Sequence, residues 1–110
     1  MARRENASDP AVKLDLNNPE FQRTLFALEK QAVPEVFGTL RKIASMTWLQ
    51  VYRDNGLRWE KIESVRPPTG VEAVYSFRIT RSIRALAFRQ GEHMRLLLVS
   101  ADHDATYGKK

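Results

Sequence analysis

The sequence predicts an α+β domain in which two N-terminal helices pack on one face of a mostly antiparallel sheet of about four strands. Apolar residues recur at helical spacing in the first half of the chain, and strand-like alternation replaces that spacing after residue 70. Turn residues separate the strand-like runs. With 110 residues, of which 43% are hydrophobic, the chain fits one domain over residues 11–110, preceded by a flexible tail of residues 1–10.

Composition narrows the cellular setting and the class of partner. No apolar run approaches the roughly 20 residues that span a bilayer, so no membrane association is expected. The charged N-terminus lacks the apolar segment of a secretory signal, and the absence of cysteine fits a reducing compartment, so the cytoplasm is expected. The net charge of +5 permits an anionic partner such as nucleic acid or an acidic protein.

A short strand and two helices are predicted first. Residues 12–16 alternate between apolar and polar, which indicates a half-buried strand or an extended lead-in. Asn18 followed by Pro19 is a favourable helix start, and an apolar stripe carries this helix to about residue 31. That stripe consists of Phe21, Leu25, Phe26 and Leu28. Pro34 interrupts the pattern, so a second helix is predicted over residues 34–45. Its stripe consists of Val36, Phe37, Leu40, Ile43 and Ala44.

The rest of the chain is predicted to form short segments and then strands. Thr47 can cap a further helical turn over residues 46–52, and residues 54–56 and 67–70 have turn and loop composition. Strand-like runs cover residues 75–80, 83–88 and 94–100, with a hairpin turn at 90–92. The unbroken apolar run 96–99 is typical of a central strand.

Arginines concentrate in these strands. Between residues 75 and 99, five arginines accompany a single acid, Glu92. They are Arg78, Arg81, Arg84, Arg89 and Arg95. Arginine binds phosphate through two parallel hydrogen bonds, which favours an RNA-binding surface. Alternatively, the arginines lie on the solvent-exposed face of the sheet and serve only solubility. Arg84 lies two residues before Leu86, so in a regular strand both side chains point to the same side of the sheet. The aliphatic part of Arg84 then lies at the edge of the core and its guanidinium forms a salt bridge with Glu60 or Glu63. Alternatively, a bulge in the strand turns Arg84 to the other side.

Three polar residues beyond the last strand are the candidates for proton transfer. His103, Asp104 and Tyr107 follow it, whereas HExxH, CxxC, GxSxG and glycine-rich phosphate loops are absent, so no metal or cofactor is expected. Histidine and tyrosine can move protons and arginine can stabilise a phosphorane, which together suit metal-free RNA cleavage by the 2′-hydroxyl. Alternatively, His103 and Asp104 simply bond each other, and Tyr107 closes the C-terminus over the sheet.

The aromatic residues of the middle segment have two interpretations as well. Trp48 and Trp59 are expected as core or partner contacts in preference to base-stacking platforms. His93 lies at the predicted hairpin and is expected to be exposed.

Several segments together resemble the RelE/ParE toxin superfamily. They are YSFRI at 75–79, RA at 84–85, a hairpin, LLLV at 96–99, and HDxxY at 103–107. The segment GLRWEKI at 56–62 is similar to a GLxWEKL segment in one branch. The resemblance covers residues 48–107, roughly half of the chain.

The resemblance implies a RelE-like, microbial-RNase-like fold and a ribosome-dependent mRNA endoribonuclease of a type II toxin–antitoxin system. It also implies a cognate antitoxin, bound in a hetero-oligomer. By position, Arg84 corresponds to the arginine that contacts the scissile phosphate, and His103 and Tyr107 to residues of proton transfer or base stacking. The basic residues expected to contact RNA are Arg58, Lys61, Arg78 and Arg81. Glu60 and Lys61 lie near the position where some members keep a further acid or base.

Two departures keep other functions open. Some nuclease members use lysines in the middle of the chain, where this sequence offers Arg53, Arg58 and only Lys61. The gyrase-poisoning branch lacks the catalytic set. The alternatives are therefore a ParE-like toxin that binds DNA gyrase without cleaving RNA, and an inert RelE-like interaction module.

Overall fold

The computed structural model describes residues 9–101, which form three α-helices, a short 3₁₀-helix and five strands. The helices are α1 Pro19–Phe26, α2 Val33–Ala44 and α3 Trp48–Arg53, and the 3₁₀-helix is Lys30–Ala32. The strands are β1 Lys13–Asp15, β2 Glu60–Ile62, β3 Val74–Arg78, β4 Ile83–Gln90 and β5 His93–Ala101. The predicted α+β class is confirmed, with one strand, β2, more than expected. No helix of residues 9–101 is long and apolar enough to cross a membrane.

The strands form one sheet in the order β1-β5-β4-β3-β2. β2 through β5 pair antiparallel with their neighbours, and β1 adds to β5 in parallel, so the mostly antiparallel sheet is confirmed. Gly91 follows β4 in the left-handed conformation (φ 64°), which lets the β4–β5 hairpin close over two residues. The β3–β4 turn is held by the Ile83 carbonyl, which accepts from both the Ile79 and the Thr80 amides.

The helices cover one face of this sheet. Alternate sheet residues such as Phe77, Ala85 and Leu96 are buried together with Phe21 of α1 and Leu40 of α2. We call this side the helix face. Because successive strand side chains point to opposite sides, the intervening residues lie on the other side, which we call the open face.

A bulge in β5 explains the unbroken apolar run of its sequence. Leu86 pairs with Leu98 while the next residue, Ala87, pairs with Leu96, which leaves Leu97 as an extra residue. The bulge restores the alternation, so Leu96 and Val99 both reach the helix-face core although they are three residues apart.

Two predictions about the helices are wrong. α1 ends at Phe26 and not near residue 31. The amides of Ala27 and Leu28 donate to carbonyls three residues earlier, and Glu29 has an extended backbone (ψ 148°), so the α-helical hydrogen bonds do not continue. Phe26 and Phe37 were expected in the apolar stripes but are 73% and 46% exposed. Each lies one position beyond a buried residue, Leu25 or Val36, and one step along a helix rotates a side chain about 100° away from the core.

The further helical turn predicted over residues 46–52 is α3, and hydrogen bonds cap its N-terminus. The Thr47 side chain accepts from the Gln50 amide, and the Gln50 side chain accepts from the Thr47 amide. The Asp9 carboxylate accepts from the Leu49 amide and the Pro10 carbonyl accepts from the Trp48 amide. The end of the tail predicted over residues 1–10 is therefore bonded to α3, while residues 1–8 lie outside the described residues.

Candidate functional site

Two arginines lie side by side on the open face of the sheet. Arg78 of β3 and Arg84 of β4 are cross-strand partners, and Ser76 and Leu86 form the next open-face pair. Directly opposed side chains on an antiparallel pair have Cβ atoms about 5 Å apart, so the two arginine side chains are neighbours on one face of the sheet. The tight β3–β4 turn described above fixes this register.

The arginine pair has no acidic partner in the part of the chain that the structure describes. The six ion pairs there involve neither Arg78 nor Arg84. The Arg84 guanidinium donates to the hydroxyl of Ser76 at 3.4 Å, and Ser76 itself is 1% exposed. Like charges directly opposite each other destabilise a sheet, so this pair has a physical cost that a bound anion would remove.

Arg84 does not bond Glu60 or Glu63, the partners considered from the sequence. Those two acids instead lie 3.6 Å from Arg58 and 3.9 Å from Lys61, respectively. Arg84 does share its face with Leu86, as the strand parity indicates, but without either acid as its partner. The β4 strand itself keeps its simple alternation, since the extra residue of the bulge lies in β5.

A groove of about 410 Å³ runs over the open face beside Arg84. Its floor contains Leu86 and Leu98, which are cross-strand partners. One wall comes from Ser64 and Val65 of the connection between β2 and β3. The remaining lining residues are Thr24, Ile62, Ser76, Val99 and Ser100. The described lining thus combines apolar side chains, hydroxyl groups and one arginine, with no carboxylate.

Thr24 fixes helix α1 at the edge of this groove. β1 ends level with Arg95, so the later part of β5 has no strand on that side. The Thr24 hydroxyl takes the place of a strand partner by accepting from the Val99 amide at 3.0 Å. The same hydroxyl donates to backbone carbonyls one turn earlier in α1. A sheet edge that would otherwise be unpaired is therefore closed by the helix.

The other predicted RNA-binding residues are more dispersed. Arg81 is exposed at the β3–β4 turn. Lys61 pairs in register with Tyr75, which places its side chain on the helix side of the sheet, away from Arg84. Arg58 has a left-handed backbone (φ 50°) beside its partner Glu60. The structure thus brings together Arg78 and Arg84, and it places Arg58 and Lys61 next to acids at the β2 edge.

Two of the five strand arginines have structural roles elsewhere. The Arg89 guanidinium stacks 4.4 Å from the Trp48 ring centroid and donates to the Tyr52 hydroxyl at 2.7 Å. Arg95 forms an ion pair with Asp15 across β1 and β5. The backbone amide of Asn17 lowers the pKa of Asp15, although partial burial opposes this, and Arg95 lowers it further.

The two tryptophans contribute to the protein interior, as expected. Trp48 is 1% exposed and contacts Trp59 edge to face at 5.5 Å. Trp59 stacks on Tyr75 at 4.8 Å, and its buried indole N–H has no hydrogen-bond partner among residues 9–101. Neither ring lines the groove.

His103, Asp104 and Tyr107 lie outside the described residues. The last described residue, Ala101, pairs with Ile83, the neighbour of Arg84 in β4. In the described part of the chain, no three His, Cys, Asp or Glu side chains are grouped so that they could hold a metal ion. Sequence reasoning missed Ser76, Thr24 and the leucine floor. Only the alternation of residues 75–78 could have indicated that Ser76 shares a face with Arg78.

The architecture is similar to that of a chain in a solved RelE–RelB complex. The structure of an archaeal RelE–RelB complex from Pyrococcus horikoshii OT3 contains a chain that matches with a TM-score of 0.57 and 14% identity, over 84% of this chain and 96% of that one. A copper-bound mutant toxin from Helicobacter pylori matches with a TM-score of 0.48 and 17% identity, over 84% and 97%. No family model and no curated protein matches the chain by sequence. The predicted RelE-like fold is confirmed.

Proposed function

We propose that this protein is the toxin of a type II toxin–antitoxin system and that it cleaves mRNA on the ribosome without a metal ion. The observation that carries the proposal is the Arg78–Arg84 pair on the open face of a RelE-like fold. It lies beside a groove whose described lining holds no carboxylate. A phosphodiester between the two guanidinium groups would relieve their repulsion and accept several charge-assisted hydrogen bonds.

Arg84 has the better-defined position for contact with the scissile phosphate. Its bond to the buried Ser76 hydroxyl restrains the guanidinium, whereas no side-chain bond restrains Arg78 among the described contacts. A preoriented donor stabilises charge that develops on the phosphoryl oxygens in the transition state, and removal of such a donor commonly costs about 10²–10³-fold in rate. We therefore assign the catalytic role to Arg84 and a supporting role in binding to Arg78 and the exposed Arg81.

The reaction needs a base and an acid in addition to the arginine. The 2′-hydroxyl loses its proton as its oxygen bonds to phosphorus, the bond to the 5′-oxygen breaks, and that oxygen gains a proton. The products are a 2′,3′-cyclic phosphate and a 5′-hydroxyl end. We propose His103 and Tyr107 for the two proton transfers. The described part of β5 ends at Ala101, which pairs with Ile83, the neighbour of Arg84 in β4.

The ribosome would supply what this small surface lacks. One arginine pair and one groove contact only a short stretch of RNA, and the remaining alignment of the 2′-hydroxyl with the phosphate must come from elsewhere. Holding reacting groups in line contributes as much to rate as the catalytic side chains themselves. Weak cleavage of free RNA is therefore consistent with the proposal.

We further propose an antitoxin as the protein partner. The similar archaeal chain was solved as a RelE–RelB complex, which supports a partner of this kind. The net charge of +5 and the uncompensated arginine pair favour an acidic segment that orders on binding. The hetero-oligomer formed in this way would be assembled in the cytoplasm, where its mRNA target is translated.

The test is controlled expression in a bacterial host. Wild-type protein should stop growth and amino-acid incorporation and should produce new mRNA 5′-hydroxyl ends within translated regions. Arg84→Met, His103→Ala and Tyr107→Phe should each reduce these effects by about 10²-fold or more. Arg41→Met, which removes an exposed α2 arginine that does not line the groove, is the matched control and should remain toxic. Circular dichroism must show that every variant is folded.

Each other outcome identifies a different function. Toxicity that survives all three active-site substitutions contradicts the nuclease assignment. DNA damage with intact mRNA would identify the gyrase-binding alternative. Absence of any toxicity, with the folded protein present, would identify an interaction module.

A further inference from the structure

The groove beside Arg84 has the features of a nucleobase site. Its floor is made by Leu86 and Leu98, which pair across β4 and β5, and Val65 covers it from the β2–β3 connection. Hydroxyl groups of Ser64 and Ser76 lie among the lining residues, and the groove encloses about 410 Å³. Apolar surface with polar groups beside it suits a flat ring that has apolar faces and a hydrogen-bonding edge.

We propose that this groove holds the base of one nucleotide of single-stranded RNA, with the phosphate of that nucleotide on Arg84 and Arg78. Arg84 and Leu86 lie two residues apart on the same face of β4, which places them about 7 Å apart along the strand. That separation is close to the distance from phosphate to base within a nucleotide. Paired RNA does not offer an isolated base, so the occupant must be unpaired.

Charge and shape favour a nucleotide over a protein segment as the occupant. The arginine pair at one end of the groove needs an anion, and the described lining has no carboxylate that would repel one. The groove lies between Thr24 of α1 and the connection carrying Val65. The groove volume of about 410 Å³ lies within the range of small-molecule sites, which suits a single nucleotide.

The location of this base relative to the cleaved bond rests on the proposed nuclease function. If Arg84 holds the scissile phosphate, the base in the groove belongs to a nucleotide that flanks the cleaved bond. The groove then determines which bases are preferred at that position, and Leu98 and Val65 set its width. Binding of a nucleotide to the groove does not depend on cleavage and can be measured separately.

The binding test uses the purified full-length chain and two small probes. Adenosine 3′-monophosphate carries a base and a phosphate, and ribose 5-phosphate carries a phosphate without a base. Titrations followed by amide chemical shifts should give at least about fivefold tighter binding for the first probe, with shifts at Leu86, Leu98 and Val65. Equal affinities, or shifts confined to residues outside the groove, would overturn the proposal.

Substitutions in the floor sharpen the test. Leu98→Trp fills the groove from β5 and should remove the advantage of the base-containing probe, while Arg84→Met should weaken both probes. Leu49→Trp is the matched control, because Leu49 is an exposed α3 leucine outside the groove, and it should leave both affinities unchanged. If Leu98→Trp lowers the thermal midpoint strongly, Leu98→Phe replaces it. A base advantage that persists in a folded, filled variant contradicts the proposal.

A cleavage experiment separates this inference from the proposed function. Mapped 5′-hydroxyl ends should show a base preference next to the cut that differs between wild type and Leu98→Trp, and that is the same in wild type and Leu49→Trp. Cleavage with an unchanged preference in Leu98→Trp overturns the base site and leaves the nuclease function standing. No cleavage by the wild type contradicts the nuclease function, and the probe titrations then decide the base site alone.

Discussion

Removal of one charge from the arginine pair should stabilise the protein while it weakens anion binding. Arg78 is the informative position, because its side chain opposes Arg84 and has no ion-pair partner among the described residues. We expect Arg78→Met to keep the length and the apolar stem of the side chain and to remove only the positive head. The physical basis of this expectation is that binding sites often retain unfavourable interactions that the ligand relieves, here the repulsion between two arginines.

The magnitude follows from the cross-strand geometry. Two unit charges splayed to about 8 Å interact by about 0.5 kcal/mol in a medium as polar as water, which lies within the range measured for cross-strand pairs. For a domain of this size that free energy corresponds to a rise of about 2 °C in the midpoint of thermal unfolding. Arg84→Met removes the same repulsion but leaves the buried Ser76 hydroxyl without its donor at 3.4 Å, which costs about 1 kcal/mol or more. The two substitutions should therefore change stability in opposite directions.

Thermal unfolding at 20 mM and at 1 M sodium chloride measures the effect. The rise in the unfolding midpoint caused by Arg78→Met should be present at low salt. It should vanish in 1 M sodium chloride, where charges are screened over about 3 Å. Added inorganic phosphate should raise the midpoint of wild type more than that of Arg78→Met. Arg41→Met lowers the net charge by the same amount at a site on α2 and should show neither effect. A loss of stability in Arg78→Met at low salt, or a gain that persists in 1 M salt, would refute this reasoning.

Three further predictions concern the frame around the site. Thr24→Val should remove the hydroxyl that closes the β5 edge and lower the free energy of unfolding by about 1–3 kcal/mol, whereas Thr24→Ser should not, as denaturant titrations can show. The Asn17 amide and Arg95 lower the pKa of Asp15 in the folded state. Ionised Asp15 therefore stabilises the fold fully at pH values above its pKa in the unfolded chain, and this stabilisation is lost as the pH falls through its lower pKa in the folded state. Asp15→Asn should therefore flatten the loss of stability below about pH 4, measured by unfolding between pH 2 and 7. Thr47→Ala should break the capping box of α3 and cost about 1 kcal/mol, with faster amide exchange in its first turn.

Local rules in the sequence were sufficient for most of the elements and for the β4–β5 hairpin. The cap at Asn18, the capping residue Thr47 and the glycine turn at Gly91 act within a few residues, so their positions could be predicted without the rest of the chain. The pairing of Arg78 with Arg84 is also local, since a tight turn joins their strands. The end of α1 was not predictable from spacing, because apolar residues continued past the point where its hydrogen bonds change.

The amino-acid sequence by itself thus determined that strand arginines would be concentrated on a short antiparallel sheet beneath packed helices. Only the tertiary structure decided which side of β4 the helices cover. The small Ala85 and Ala87 lie under the helices, while the larger Leu86 and Phe88 lie on the face with Arg84, the reverse of what residue size alone would favour. Phe21 of α1 and Leu40 of α2 belong to the same buried core as the two alanines, and the β2–β3 connection contributes to covering the other side. The helix residues that complete the packing lie far from β4 in sequence, because side-chain volume in a packed layer is shared among all the elements that meet there.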